Sequence, residues 1–307
     1  MLLQDKPLSF EKWPVLKPII SFLDRWKLGF MGDLSLYRLL KIYGVGIAES
    51  AVSYRAGAIA WSFFMALFPF ALFVLNLIPF IPIPNFQDDF LEFVAGSVPP
   101  NTYDAISVIL FDIMNNSNSS LLSSGFLLAI FLQANGVNAI LGGFEYSKYY
   151  GNKRSFFRQY FVAMVISFLL IFFLILTVSG VVVFEVFVQK SKIQSVISDR
   201  IQLLEIGRYL FLALMIFLTV STLLKYGARR SERLPFFSIG SVVTTLIVIL
   251  TSFLFGIWVE KFAQYNELYG SIGTLLILMF YIWLNSMILL LGFELNAVIR
   301  TLKRENT

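Results

Sequence analysis

The sequence predicts an all-α integral membrane protein. It should have six transmembrane helices, both termini cytoplasmic, and interfacial amphipathic helices at the N-terminus and in the first outer loop. Three observations carry this expectation. The 307 residues are 58% hydrophobic and only 14% charged, against about a quarter charged in a soluble domain. Six stretches are apolar over the roughly 20 residues needed to cross a bilayer core of about 30 Å: 57–80, 121–142, 160–184, 206–224, 236–258 and 272–294. The basic residues, finally, alternate between the loops that these spans define. Residues 1–56 hold eight Lys or Arg, 81–120 none, 143–159 four, 185–208 four, 225–235 four, 259–271 one and 295–307 three. Cytoplasmic termini put 19 of the 24 inside and 5 outside, the asymmetry that orients bacterial membrane proteins.

Residues 1–56 read as a cytoplasmic and interfacial arm. Within "PIISFLDRWKLGF", Ile19, Ile20, Leu23, Trp26 and Phe30 share one helical face, with Lys17, Arg25 and Lys27 around it. Such a helix lies in the headgroup region against anionic phospholipid. A second helix is expected to start at an Asp33 N-cap and to run through "LSLYRLLKIY". No apolar segment with a small-residue cleavage site precedes the first span, which is expected to act as its own insertion signal.

The membrane domain occupies 57–299. Span one contains Pro69, which removes a backbone hydrogen bond, frees the Met65 carbonyl and is expected to kink the helix. The outer loop that follows has five acidic residues, no basic ones, and two short amphipathic segments around Val98-Pro99-Pro100. Span two is the least apolar, because "FLQANGVN" places Gln133, Asn135 and Asn138 inside it. Span four is short, with Arg208 and Lys225 left to snorkel from its ends. Span six closes on "LLGFELNAVIR", and residues 300–307 form a short cytoplasmic tail.

Composition excludes several chemistries. With no cysteine or histidine there is no thiol or imidazole catalysis and no metal site that uses those ligands. "GVGIAE" at 44–49 ends in Glu where a dinucleotide fingerprint needs Gly, and no G-x-x-x-x-G-K is present. No catalytic residue, cofactor or metal is therefore assigned. The net charge of +5 reads as loop charge of a membrane chain and not as a nucleic-acid surface.

Polar residues inside the spans fall at helical spacing. Arg55, Ile59, Ser62, Ala66, Pro69, Phe73 and Asn76 form one face of span one; Leu128, Phe131, Asn135, Asn138, Gly142 and Glu145 one face of span two. Span five carries Ser238, Ser241, Thr245, Ser252 and Gly256, and span six carries Asn285, Leu289, Gly292 and Asn296. Such faces are expected to turn inward. They are either packing contacts or a polar cleft lined by Asn76, Gln133, Asn135, Asn138, Asn285 and Asn296. Glu294 and Arg55 share a cytoplasmic depth, so they are expected to pair as a latch. "GFE" occurs at 143–145 and again at 292–294, which puts Glu145 at the same depth, with Arg55, Lys148 and Arg300 as available partners.

"YRAGAIAWSFFMALFPFALFVL" with "IPFIP", and "YGSIGTLLILMFYIWLNSMILLLGFELNAVI", together resemble the YihY/virulence factor BrkB family of bacterial inner-membrane proteins. The resemblance covers about residues 35–300, with Gly57 standing where the family usually has Ala or Ser. It implies six spans and cytoplasmic termini, and a setting in the inner membrane. The family's old ribonuclease label is disfavoured by the absence of any catalytic constellation. The expected function is transporter-like movement of an envelope lipid or other amphiphile; the alternatives are a non-transporting scaffold for envelope integrity and, third, a membrane-embedded enzyme.

Overall fold

The computed structural model describes residues 17–25, 35–49, 51–77, 91, 107, 111, 119–147, 154–193, 198–228, 235–261 and 271–305. Among them are eight helices: α1 (Lys17–Arg25), α2 (Leu36–Glu49), α3 (Val52–Leu77), α4 (Ser119–Glu145), α5 (Phe156–Ile193), α6 (Ser198–Gly227), α7 (Ile239–Lys261) and α8 (Ser271–Glu305). Five of these, α4 to α8, are long and apolar enough to cross a membrane. The amphipathic segments expected in the first outer loop lie, apart from residues 91, 107 and 111, outside the described residues.

The helices overrun the apolar windows. Span six was expected to stop near Glu294, yet α8 continues to Glu305. A 35-residue helix is about 52 Å long, so its last turns stand beyond a hydrocarbon layer of roughly 30 Å. They are covered there by α2, where Leu39 and Ile42 pack on Val298, Ile299 and Leu302. The α2 N-cap is Ser35, whose Oγ accepts from the Arg38 amide at 3.2 Å, and Asp33 lies outside the described residues. Ala51 separates α2 from α3 with φ of 48°. This left-handed backbone, uncommon for a residue with a Cβ, lets α3 leave in a new direction.

α3 to α8 close a ring. Consecutive helices pack side by side all the way round, and α8 returns to α3. The start of α3, the end of α4, the start of α5, the end of α6 and the start of α7 all gather at one end, joined there by Glu294 and Asn296 of α8. That end adjoins the basic segments 143–159 and 225–235. Its core holds Ile59, Leu141, Phe144, Leu224 and Phe293, each almost fully buried. Pro69 does not break α3, which runs through it as one helix.

The α7–α8 crossing shows why small residues are needed. A Cβ on Gly292 would overlap the Thr244 side chain, and one on Gly240 would overlap the Gly292 carbonyl and Asn296. Backbones this close gain contact that larger side chains forbid.

Candidate functional site

Two buried ion pairs occupy the gathered end of the ring. Arg55 sits in the first turn of α3. Its Nη2 donates to Glu294 Oε1 at 2.7 Å, and its Nη1 donates to the Gly143 carbonyl at 2.6 Å. Ser147 Oγ donates to the other oxygen, Glu294 Oε2, at 2.6 Å. The Arg55 and Glu294 side chains are only 9% and 1% exposed, so this bridge holds α3, α4 and α8 in a medium where charge is costly. Arg55 Nε is buried with no hydrogen-bond partner among the described residues.

The second pair differs from expectation in its partner. Glu145 faces Arg154, just ahead of α5, with 3.8 Å between Oε1 and Nε. The Arg154 backbone amide donates to Glu145 Oε2 at 3.2 Å. Its Nη2 donates to the Ala228 carbonyl and, at 3.4 Å, to that of Tyr226. A cation at the end of α6 is favourable, because the last helical carbonyls lack partners and carry partial negative charge. Lys148 is outside the described residues. Between the two carboxylates, Phe144 and Phe293 of the repeated "GFE" lie face to face, with centroids 3.9 Å apart and ring planes within 4°.

Tyr43 of α2 closes this end from above. Its hydroxyl donates to the Leu291 carbonyl at 3.0 Å. Burial first, and the Glu294 charge second, push its phenol up to about 12.

Below the ion pairs lies a cavity of about 580 Å³ to which all six ring helices contribute. Its wall is mostly apolar, as in Phe63, Phe70, Met215 and Leu223; the polar exceptions are Gln133, Thr177, Thr219 and Asn285. Asn285 Nδ2 donates to the Tyr281 carbonyl on its own helix at 2.9 Å. No described hydrogen bond engages the Gln133 amide. At 1.5 Å per residue, Gln133 lies about 18 Å from Glu145 and Asn285 about 14 Å from Glu294, near mid-depth.

The six amides expected to line one cleft therefore separate. Gln133 and Asn285 meet the cavity. Asn296 does not; it caps α7, with Oδ1 accepting from the Gly240 amide and Nδ2 donating to Ser238 Oγ, each at 2.8 Å. Asn135 points away from the ring, exposed beside Leu128 and Phe131. Asn138 is half-buried, and its carbonyl accepts from Gln159 Nε2 at 3.3 Å. The Asn76 side chain lies outside the described residues. The expected α4 stripe thus divides: Leu128, Phe131 and Asn135 are exposed, Asn138 and Gly142 meet Gln159 of α5, and Glu145 is in the Arg154 ion pair, while the face turned to the cavity and core carries Gln133, Val137, Ile140 and Phe144.

Sequence reasoning missed Arg154, Ser147 and Tyr43. One signal was present: each "GFE" has a polar residue two positions on, Ser147 and Asn296, and both make hydrogen bonds between helices. Among the described residues no group of three or more Asp or Glu is placed to hold a metal ion.

The chain matches the profile of the Virulence factor BrkB family over residues 45–307 and belongs to that family. It is 27% identical over 261 residues to "Putative ribonuclease-like protein YfkH" of Bacillus subtilis (strain 168), a match covering 81% of this chain and 90% of the relative. It is 23% identical over 280 residues to a "UPF0761 membrane protein" of Coxiella burnetii (strain Dugway 5J108-111), covering 87% of this chain and 97% of the relative. No solved structure matches it.

Proposed function

We propose that this member of the Virulence factor BrkB family is a transporter-like protein of the bacterial cytoplasmic membrane. In this reading α3 is the sixth span, both termini are cytoplasmic, and an envelope lipid or other amphiphile passes through the ring. The observation that carries it is the cavity of about 580 Å³. A site of this size accommodates a small ligand or one acyl chain, and two of its few polar groups, the amides of Gln133 and Asn285, suit a short polar moiety at mid-depth. The Arg55–Glu294–Ser147 bridge acts as a latch on the cytoplasmic side. The placement of Glu145–Arg154, tied to the end of α6, supports the same sealed end. α1, with Phe22 and Arg25 exposed, holds the arm against anionic phospholipid.

Lipid analysis of the purified protein tests this. The parent should retain one class of amphiphile at about one copy per chain, and the Gln133→Leu/Asn285→Leu variant should lose or exchange it. An identical lipid complement in both, with no stoichiometric species, would favour the scaffold reading, in which the ring is only packing.

A further inference from the structure

The repeated "GFE" does more than place two carboxylates at one depth. The ring neighbours of α4 are α3 and α5, yet Phe144 of α4 reaches past both. It stacks on Phe293 of α8 and lies against Gly227 of α6, where a Cβ would collide with its ring. The stacked pair therefore crosses the middle of the ring of helices. Both side chains are almost fully buried, and Leu141, Leu224 and Leu290 fill the layer around them. The chamber ends at this layer. Leu289 and Leu223 line it, one helical turn, about 6 Å, before Phe293 and Gly227 respectively. On the far side come Glu145 and Glu294, each the next residue after its Phe.

We infer that Phe144 and Phe293 are the two leaves of a gate that closes the chamber toward the ion-pair end, and that the Glu294 bridge holds them shut. This gate rests on the transporter reading, in which the chamber opens to one side of the membrane at a time. A constriction of apolar side chains blocks water and charged solutes by staying dry. Glu294 accepts from Arg55 of α3 and from Ser147, three residues past Phe144, so it ties one leaf to the other. The Glu145–Arg154 pair fixes the Phe144 leaf to the start of α5 and the end of α6. Flat rings meeting face to face do not interdigitate as branched side chains do, so they part by sliding once the bridge lets go. Each motif then has three working parts. Its glycine admits a close neighbour, as Gly143 admits Leu290 and Ile59; its Phe is the barrier, and its Glu is the catch.

The absence of cysteine makes the test direct. Thr219→Cys places the sole thiol in the chamber wall, about 12 Å from Gly227 along α6. A charged, membrane-impermeant methanethiosulfonate is added to inside-out vesicles, from which side it reaches this thiol only through the gate. T219C should label far more slowly than Ser155→Cys, which is exposed at the same end. Adding Phe144→Ala or Phe293→Ala to T219C should speed its labelling about 10-fold. Leu141→Ala takes bulk from the same buried layer and should leave the rate as it was. Phe144→Leu keeps most of the core volume, so it tests the gate even where Phe144→Ala fails to fold, and it should speed labelling by a smaller factor. Unchanged rates in folded Phe144 and Phe293 variants, T219C reacting as fast as S155C, or Leu141→Ala matching Phe144→Ala would each overturn the gate. No substrate enters this measurement, so the two readings fail separately. Stoichiometric lipid with unchanged labelling would discard the gate and keep passage through the ring; the expected rates in a chain that retains no lipid would keep the gate and discard the amphiphile.

Discussion

Glu294 shows how a carboxylate is held in an apolar setting: one oxygen takes Arg55 and the other takes Ser147. Removing one partner of such a pair leaves the other charge stranded. Glu294→Gln is therefore expected to lower stability by about 3–5 kcal/mol, whereas Arg55→Met/Glu294→Leu should cost far less than the sum of its single changes. Detergent-titrated unfolding measures both, and a Glu294→Gln loss below about 1 kcal/mol would contradict the buried-bridge description. Tyr43 gives a second residue-scale prediction. Its phenol titrates near 12 when folded, against 10.0 when free, so the folded state favours the neutral form. That contribution is fully present below pH 10 and is lost as pH rises through about 12. The absorbance difference between the parent and Tyr43→Phe should show phenolate appearing near pH 12, and a midpoint near 10 would mean that the hydroxyl is not buried beside Glu294.

At the scale of elements, the α7–α8 crossing depends on Gly292 fitting against Thr244. Gly292→Val is expected to destabilise by about 1–3 kcal/mol through overpacking. Thr244→Ala in the same chain should recover part of that loss, and thermal unfolding of the four variants checks the coupling. Element existence was legible in the sequence because hydropathy and loop charge both report a helix's surroundings. Element ends were not. The window for span six stopped at Glu294 because a hydropathy average sees a charge, while a carboxylate does not end a helix and α8 runs on to Glu305. The α4 stripe was legible as a stripe but not in what it meets: periodicity finds the face, yet does not say that Asn138, Gly142 and Glu145 turn to α5 and Arg154 while Asn135 stays exposed. Asn296 was misassigned for a related reason, since its role comes from the start of α7, 56 residues earlier in the chain. The Arg154 partner of Glu145 likewise depends on how α5 and α6 meet.

For the molecule as a whole, the closed ring places polar bridges at one end and an apolar chamber at mid-depth. Those are the parts that movement of an amphiphile requires: a seal, a site, and walls that accept a chain. Met215 is buried on α6 and lines the chamber, so Met215→Trp would fill it without touching the ion pairs. The most direct measurement is transbilayer movement of a fluorescent phospholipid in vesicles reconstituted with the parent or with Met215→Trp. The account predicts faster loss of the inner-leaflet pool with the parent and a rate near that of protein-free vesicles with Met215→Trp. Equal rates for the two folded proteins would contradict passage through the ring.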